Sequence, residues 1–366
     1  MNVIKYFSGL LLFVFVACGS SSNDSSGGTG DVNITFTPDS ISFDYKSSSQ
    51  TLSVSATTEW GVSSSESWCT CSPSGGIAGT TTLSIKVAQN DGLSPRTAVL
   101  TFKRGTYTKT LKVTQKASAD ADNITAPDGY ALVWHDEFNA ASTSMPSASN
   151  WSYETGGGGW GNNELQYYVS GVTNSDTLAS VSNGTLKIKA KKINGTVYSI
   201  RMNTSTSWTY GYFEARLKLP SGKGTWPAFW MLPKNFTSWP ADGEIDIMEE
   251  VGYNPNYVSS SIHCTAYNHT LGTQKTASKY VTNAESEFHV YAVEWTASYI
   301  KGFVDGVNYF TFLNDGTGNK DTWPFNAPFY LKLNLAWGGD WGGAQGVDES
   351  ALPLTYEVDY VRVFQK

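Results

Sequence analysis

Polar and apolar residues alternate with period two in short runs broken by Gly, Pro and Asn, and this pattern recurs from Val32 almost to the C-terminus. It confines the chain to antiparallel β structure, because only a pleated strand sends successive side chains to opposite faces. Between residues 32 and 117 the runs are Ile41-Ser-Phe43-Asp-Tyr45, Leu52-Ser-Val54, Leu83-Ser-Ile85-Lys-Val87, Ala98-Val-Leu100-Thr-Phe102 and Leu111-Lys-Val113. Their number and spacing predict an immunoglobulin-like β-sandwich. A polar linker over 118–127 follows. From 128 to 366 the pattern returns in Thr185-Leu-Lys-Ile-Lys-Ala190, Tyr212-Phe-Glu-Ala-Arg-Leu-Lys-Leu219 and Tyr356-Glu-Val-Asp-Tyr-Val-Arg-Val-Phe364. No helix-period stretch of similar strength interrupts it. That second segment is long for one small sandwich, so a β-jelly-roll with many strands per sheet and a concave cleft is expected.

Composition narrows the function. A chain of 366 residues, 40% hydrophobic, suffices for two cores. Aromatic residues reach 14%, with 13 Trp and 20 Tyr, while charged residues are only 16%. Flat apolar rings that fill cores also stack on sugar faces, which suits an extracellular β protein acting on carbohydrate. The net charge of −7, without long Lys/Arg runs, leaves no footprint for nucleic acid. It also disfavours a polyanionic substrate. Four cysteines do not make a disulfide framework: Cys69 and Cys71 sit two apart and Cys264 has no evident partner.

The remaining cysteine, Cys18, closes an N-terminal signal. Lys5 precedes the apolar run Gly9 to Ala17, too short to span a bilayer and of signal-peptide form. The sequence Phe15-Val16-Ala17-Cys18 resembles a bacterial lipobox, which implies cleavage after residue 17 and lipidation of Cys18. The Ser/Gly/Asn stretch 18–31 then reads as a flexible tether. An outer-membrane lipoprotein on the cell surface of a Gram-negative bacterium is expected, monomeric and touching the membrane through its lipid alone.

Within the first sandwich, Trp60-Gly-Val62, Glu66-Ser-Trp68, Pro73-Ser-Gly75-Gly76, Asn90, Arg96 and Val113-Thr-Gln115 together resemble the BACON module of Bacteroidetes surface proteins. Such modules are proposed as glycan binders and as spacers. The spacer reading is preferred, with Trp60 and Trp68 taken as structural residues.

The chemistry concentrates in Asp242-Gly-Glu244-Ile-Asp246-Ile-Met-Glu249-Glu250. Alternation puts Glu244 and Asp246 on one face and Ile245 and Ile247 in the core. Five residues after Glu244, Glu249 would face the wrong way in a regular strand. A one-residue β-bulge at Ile247-Met248 returns it to the acidic face. Crowding carboxylates on one face is costly and is tolerated mainly where the charge is used; a solvated edge strand is the plain alternative. Retaining glycoside hydrolysis needs two carboxyls about 5 Å apart, one nucleophile and one acid/base.

Context decides between them. The segments Gly224-Thr-Trp226-Pro-Ala-Phe-Trp230-Met-Leu-Pro233, Trp160-Gly-Asn-Asn163-Glu-Leu-Gln-Tyr-Tyr168 and Trp208-Thr-Tyr-Gly-Tyr-Phe-Glu-Ala-Arg216, with the Glu-x-Asp-x-x-Glu strand, resemble glycoside hydrolase family 16. Within it the extra Met248 is similar to the bulged, laminarinase-like endo-β-1,3(4)-glucanases. The resemblance implies Glu244 as nucleophile, Asp246 as auxiliary carboxylate and Glu249 as acid/base. It implies substrate-binding roles for Trp226 and Trp230 at the negative subsites, for Asn163 and Arg201 on the sugar, for His263 beside the acid/base and for Trp341 at the groove rim. His269 receives no role, and Cys264 is a small buried hydrophobe. No cofactor is needed for catalysis. The family also implies a structural calcium, held by a carbonyl near the Asn183-Gly184 turn and by Asp359. The expected substrate is a β-1,3 or mixed β-1,3/1,4-glucan. A β-galactan of the agar or carrageenan type is the alternative. A non-catalytic glycan binder is disfavoured, since all three carboxylates are present.

Overall fold

The predicted runs form strands whose apolar positions turn inward. In the computed structural model, which describes residues 31–90, 95–117, 124–140 and 143–366, the chain divides into two compact units. The signal peptide, Cys18, all but residue 31 of the tether, and most of the expected linker lie outside the described residues.

The first unit holds a four-stranded sheet (Ile34–Thr35, Ser48–Ala56, Gly79–Val87, Cys69–Ser72) and a five-stranded sheet (Ser40–Phe43, Tyr107–Gln115, Arg96–Arg104, Trp60–Ser64, Gly75–Gly76). Ile41, Phe43, Leu52, Val54, Leu83, Ile85, Val87, Ala98, Leu100, Phe102, Leu111 and Val113 are all buried. Trp60 is buried with them and packs on Phe102, its ring centroid 5.5 Å away, so it is a core residue as expected.

The second unit is a sandwich of a ten-stranded and a seven-stranded sheet. The strands of the smaller sheet are β1 (Trp151–Glu154), β2 (Arg201–Thr204), β3 (Thr225–Pro233), β4 (Glu244–Glu250), β5 (Tyr257–His263), β6 (Lys275–Tyr280) and β7 (Phe329–Trp337). Their order across the sheet is β1-β2-β7-β3-β4-β5-β6, and every pairing is antiparallel. One face supplies Phe229, Met231, Ile245, Ile247, Met248, Leu331 and Leu333 to the main core, where they join Phe213, Ala215, Val293, Tyr356, Val358 and Val361 of the larger sheet.

Strand β3 is apolar from Trp226 to Pro233 because both of its faces are covered. Phe229 and Met231 enter the main core, while Ala228, Trp230 and Leu232 form a separate buried cluster on the outer face with Tyr330. The end of β4 is tied to the start of β3 at Gly252, whose N–H donates to Thr225 O at 3.0 Å. A Cβ at residue 252 would fall 1.9 Å from Gly222 O, so only glycine permits this approach.

Glu250, the last residue of β4, points to the core side, opposite buried Val258. Its Oε1 accepts from Asn256 N at 2.7 Å, while Oε2 finds no partner. Burial, and then the charge of Glu285, push its carboxyl up to about 8. A carboxyl held neutral by the fold stabilises least where the unfolded chain would ionise it, so stability drains away as pH rises from the ordinary carboxylate range toward 8. Glu250→Gln keeps the Asn256 contact and removes that cost. Urea unfolding should show the variant more stable than the parent at pH 8, by on the order of 1–2 kcal/mol, and nearly equal at pH 4.

Candidate active site

The bulge expected in the carboxylate strand is present. Asp246 stands opposite Ser261 and Glu249 opposite Ser259, so Ile247 and Met248 together face the single residue Ser260. On the β3 side, Met248 pairs with Phe229 and Asp246 with Trp230, so Ile247 is the inserted residue. Both Ile247 and Met248 are fully buried in the core, and Glu244, Asp246 and Glu249 emerge on the outer face.

All three carboxyls are raised above the ordinary carboxylate range. Burial is the first cause in each; for Glu244 and Glu249 the charge of Asp246 adds to it. His263 opposes the shift in Glu244 and Glu249. It stands opposite Glu244 on β5, with Nε2 3.2 Å from Asp246 Oδ2 and 4.0 Å from Glu244 Oε1. Like charges confined in little water retain a proton among them at neutral pH, which is what a site that must donate one requires.

Trp226 and Trp230, four residues apart on one strand, share the outer face despite Pro227 between them. Trp226 Nε1 donates to Glu249 Oε1 at 3.0 Å, and its ring meets Trp341 edge-on at 5.4 Å. Trp230 Nε1 donates to Asn334 Oδ1 at 2.6 Å. Its ring lies near two cations, with the Arg201 guanidinium 4.8 Å and the Lys332 ammonium 5.0 Å from its centroid. Arg201 also covers Trp160 at 4.6 Å and pairs with Glu154. Lys332, fully buried, donates to Glu154 at 2.9 Å and to Asn203 Oδ1 at 2.6 Å. Burial, and then the charge of Arg201, push its ammonium down to about 7.

Asn163, in the left-handed region at φ 54°, gives its amide N–H groups to both oxygens of Asp340, each at 3.0 Å. It thereby pins the Gly-rich turn that carries Trp341. Trp337 of the same segment is buried in the core and lines nothing outside.

With this geometry in hand, comparison with known proteins is direct. The family model for glycosyl hydrolases family 16 matches residues 160–362. The chain belongs to that family. The BACON model matches residues 58–116. Among curated relatives, a β-glucanase of Rhodothermus marinus is 48% identical over 249 residues, covering 64% of this chain and 85% of that protein. A glucan endo-1,3-β-glucosidase of Cryptopygus antarcticus is 34% identical over 257 residues, covering 65% of this chain and 93% of that protein. The X-ray structure of the laminarinase from Rhodothermus marinus superposes with a TM-score of 0.61 at 46% identity, over 64% of this chain and 97% of that one.

This family 16 hydrolase shows two site residues that the sequence reading passed over. The Trp239 N–H counters the upward shift of the Glu244 carboxyl, and its ring lies 5.8 Å from His263 and 4.7 Å from His269. Its loop is fixed by Asp242, whose Oδ2 accepts from Thr237 N and Ser238 N, both at 2.7 Å. The available signal was the turn Ser238-Trp239-Pro240 leading straight into the acidic strand. His269, given no role, also joins this edge, 5.4 Å from His263. Lys332 is the second omission, hidden inside an apolar run.

The calcium ligands fare differently. Asp359 Oδ2 accepts from Arg216 Nη1 at 2.6 Å, so its charge is already paired. Gly184 sits in its turn at φ 76°, after Asn183 at φ 53°. The Arg216 pair engages one carboxylate oxygen of a partly exposed Asp359. The one group among the described residues whose side chains converge as metal ligands do is Glu244, Asp246 and His263, part of the carboxylate cluster of β4 and β5.

Proposed function

We propose that the protein is an endo-acting β-glucan hydrolase that cleaves β-1,3 or mixed β-1,3/1,4 linkages with retention. The observation that carries this is the bulged strand, which turns Glu244, Asp246 and Glu249 to one face beside Trp226 and His263. The β-glucanase and laminarinase relatives support the same reading.

In this reading Glu244 attacks the anomeric carbon while Glu249 gives its proton to the glycosidic oxygen, so the bond to the departing chain breaks as the glycosyl–Glu244 ester forms. Glu249, now ionised, takes a proton from water, which attacks the same carbon and releases Glu244. Two inversions leave the original configuration. The charge of Asp246, in contact with His263, raises the carboxyls of both Glu244 and Glu249 and so helps keep a proton in the pair before the first step. Trp226 N–H on Glu249 acts on the same balance, since donation to the carboxylate favours its ionised form.

The lipobox-like sequence supports attachment through Cys18 at the cell surface, with the BACON-type unit as a spacer between lipid and enzyme. Trp60, one of that unit's two tryptophans, is committed to its core.

Glu244→Ala should lower kcat on laminarin roughly 10⁴-fold or more while leaving the unfolding midpoint near that of the parent. Full activity in that variant would remove the nucleophile from the scheme. Proton NMR of the first products should show the β anomer before mutarotation, and an initial α anomer would exclude retention. Replacing Trp226 with Phe deletes the N–H on Glu249 and so raises that carboxyl. The alkaline limb of kcat/KM, where the acid loses its proton, should therefore move to higher pH in Trp226→Phe; a limb moving down would contradict the assignment.

A further inference from the structure

Strand order divides the outer face at the carboxylates. Trp226 and Trp230 lie on β3, on one side of β4, and β5 and β6 lie on the other. Glu249 is opposite Ser259, which is opposite Ser278; Asp246 is opposite Ser261, which is opposite Thr276. Residues directly opposed across antiparallel strands share a face, so these four short hydroxyl side chains carry the catalytic face out to the sheet edge. The hydroxyl of Ser259, on a side chain more than nine-tenths buried beside Glu249, has no protein partner.

Two residues beyond Ser259 and Ser278 on the same face stand Tyr257 and Tyr280, opposite one another. Their ring centroids are 5.2 Å apart, and the residues are 46% and 54% exposed. Strand geometry puts Tyr257 on the order of 8 Å from Glu249, one strand over and two residues along. The displacement is toward the Glu249 end of the site and away from Glu244.

We propose that Tyr257 and Tyr280, at the margin of the Ser259-Ser261-Thr276-Ser278 floor, bind the sugars on the leaving side of the scissile bond. This rests on the reading of Glu249 as the proton donor. The donor must face the departing oxygen, so the chain that departs lies on its side of the cluster. The floor carries only short side chains, and its outer part, Thr276 and Ser278, is exposed. The two half-exposed rings offer a sugar ring a stacking surface. Trp226 and Trp230 would then grip the glycone and the tyrosines the aglycone, with the carboxylates between.

The test compares two substrates in the full-length enzyme. Laminarin spans both sides of the cleavage point, whereas 4-nitrophenyl β-laminaribioside puts only a small aryl group on the leaving side. In the double variant Tyr257→Ala/Tyr280→Ala, the ratio of kcat/KM on laminarin to kcat/KM on the aryl glycoside should fall about tenfold. Tyr257→Phe/Tyr280→Phe, which keeps the rings, should restore it. Transfer of glycosyl units to added laminaribiose should drop in the Ala variant as well. An unchanged ratio in an active enzyme, whether both rates hold or both fall together, overturns this inference and leaves the hydrolase reading standing. A parent enzyme that cleaves neither substrate overturns both.

Discussion

One inserted residue in β4 reconciles two demands that a regular strand cannot meet together. The strand must bury apolar side chains against the larger sheet, and it must present carboxylates to the outer face at both ends of a cluster. With strict alternation, Glu249 would enter the core wherever Glu244 faced out. The bulge spends two consecutive residues, Ile247 and Met248, on the core side and restores Glu249 to the face of Asp246. The partners follow from this register. Trp226 reaches Glu249 because Ala228 stands opposite it, and His263 meets Asp246 because it stands opposite Glu244.

Concentrating acid on one face is affordable only with compensation nearby, and the outer face supplies it in two places. At one edge His263 and the Trp239 N–H act on Asp246 and Glu244. At the other, Arg201 and the buried Lys332 are held by Glu154, within reach of Trp230 and not of the carboxylates directly. Lys332 nonetheless registers the charge of Glu244, which draws its proton affinity upward against burial. The cations therefore do two things: they fix the ring of Trp230, through its π face, and they lend positive potential to a face whose working groups are all acids.

Much of this was legible in the sequence, for a definite reason. Strand faces and the bulge depend on spacing along the chain, and spacing is written in the sequence: Ile245, Ile247 and Met248 against Glu244, Asp246 and Glu249. Trp60 as a structural residue was readable from its setting as well. What the sequence does not write is which strands lie side by side. Trp239 and His269 reach the site through a loop and a one-turn helix, not through alternation. Lys332, inside Tyr330-Leu-Lys-Leu-Asn334, reads as a solvated position of an alternating strand, yet sheet order seats it between Glu154, Asn203 and Trp230 in full burial. The family resemblance gives Asn163 and Arg201 a place on the sugar. Their protein partners, Asp340 for one and Glu154, Trp160 and Trp230 for the other, show that they also build the walls.

Glu249 and Glu250 make the strongest case that register, not residue type, sets chemistry here. They are neighbours with the same side chain, and burial raises both carboxyls. Glu249 opens onto the outer face and takes the Trp226 N–H. Glu250 turns inward toward Tyr291 and Glu285, with one oxygen tied to a backbone amide and the other unpaired. A slip of one residue in β4 would turn Glu244, Asp246 and Glu249 to the core side and leave Glu250 as the one acid of the four facing out. The core contacts of Ile247 and Met248 oppose that slip, so hydrophobic packing on one face of the sheet is what assigns the acid on the other.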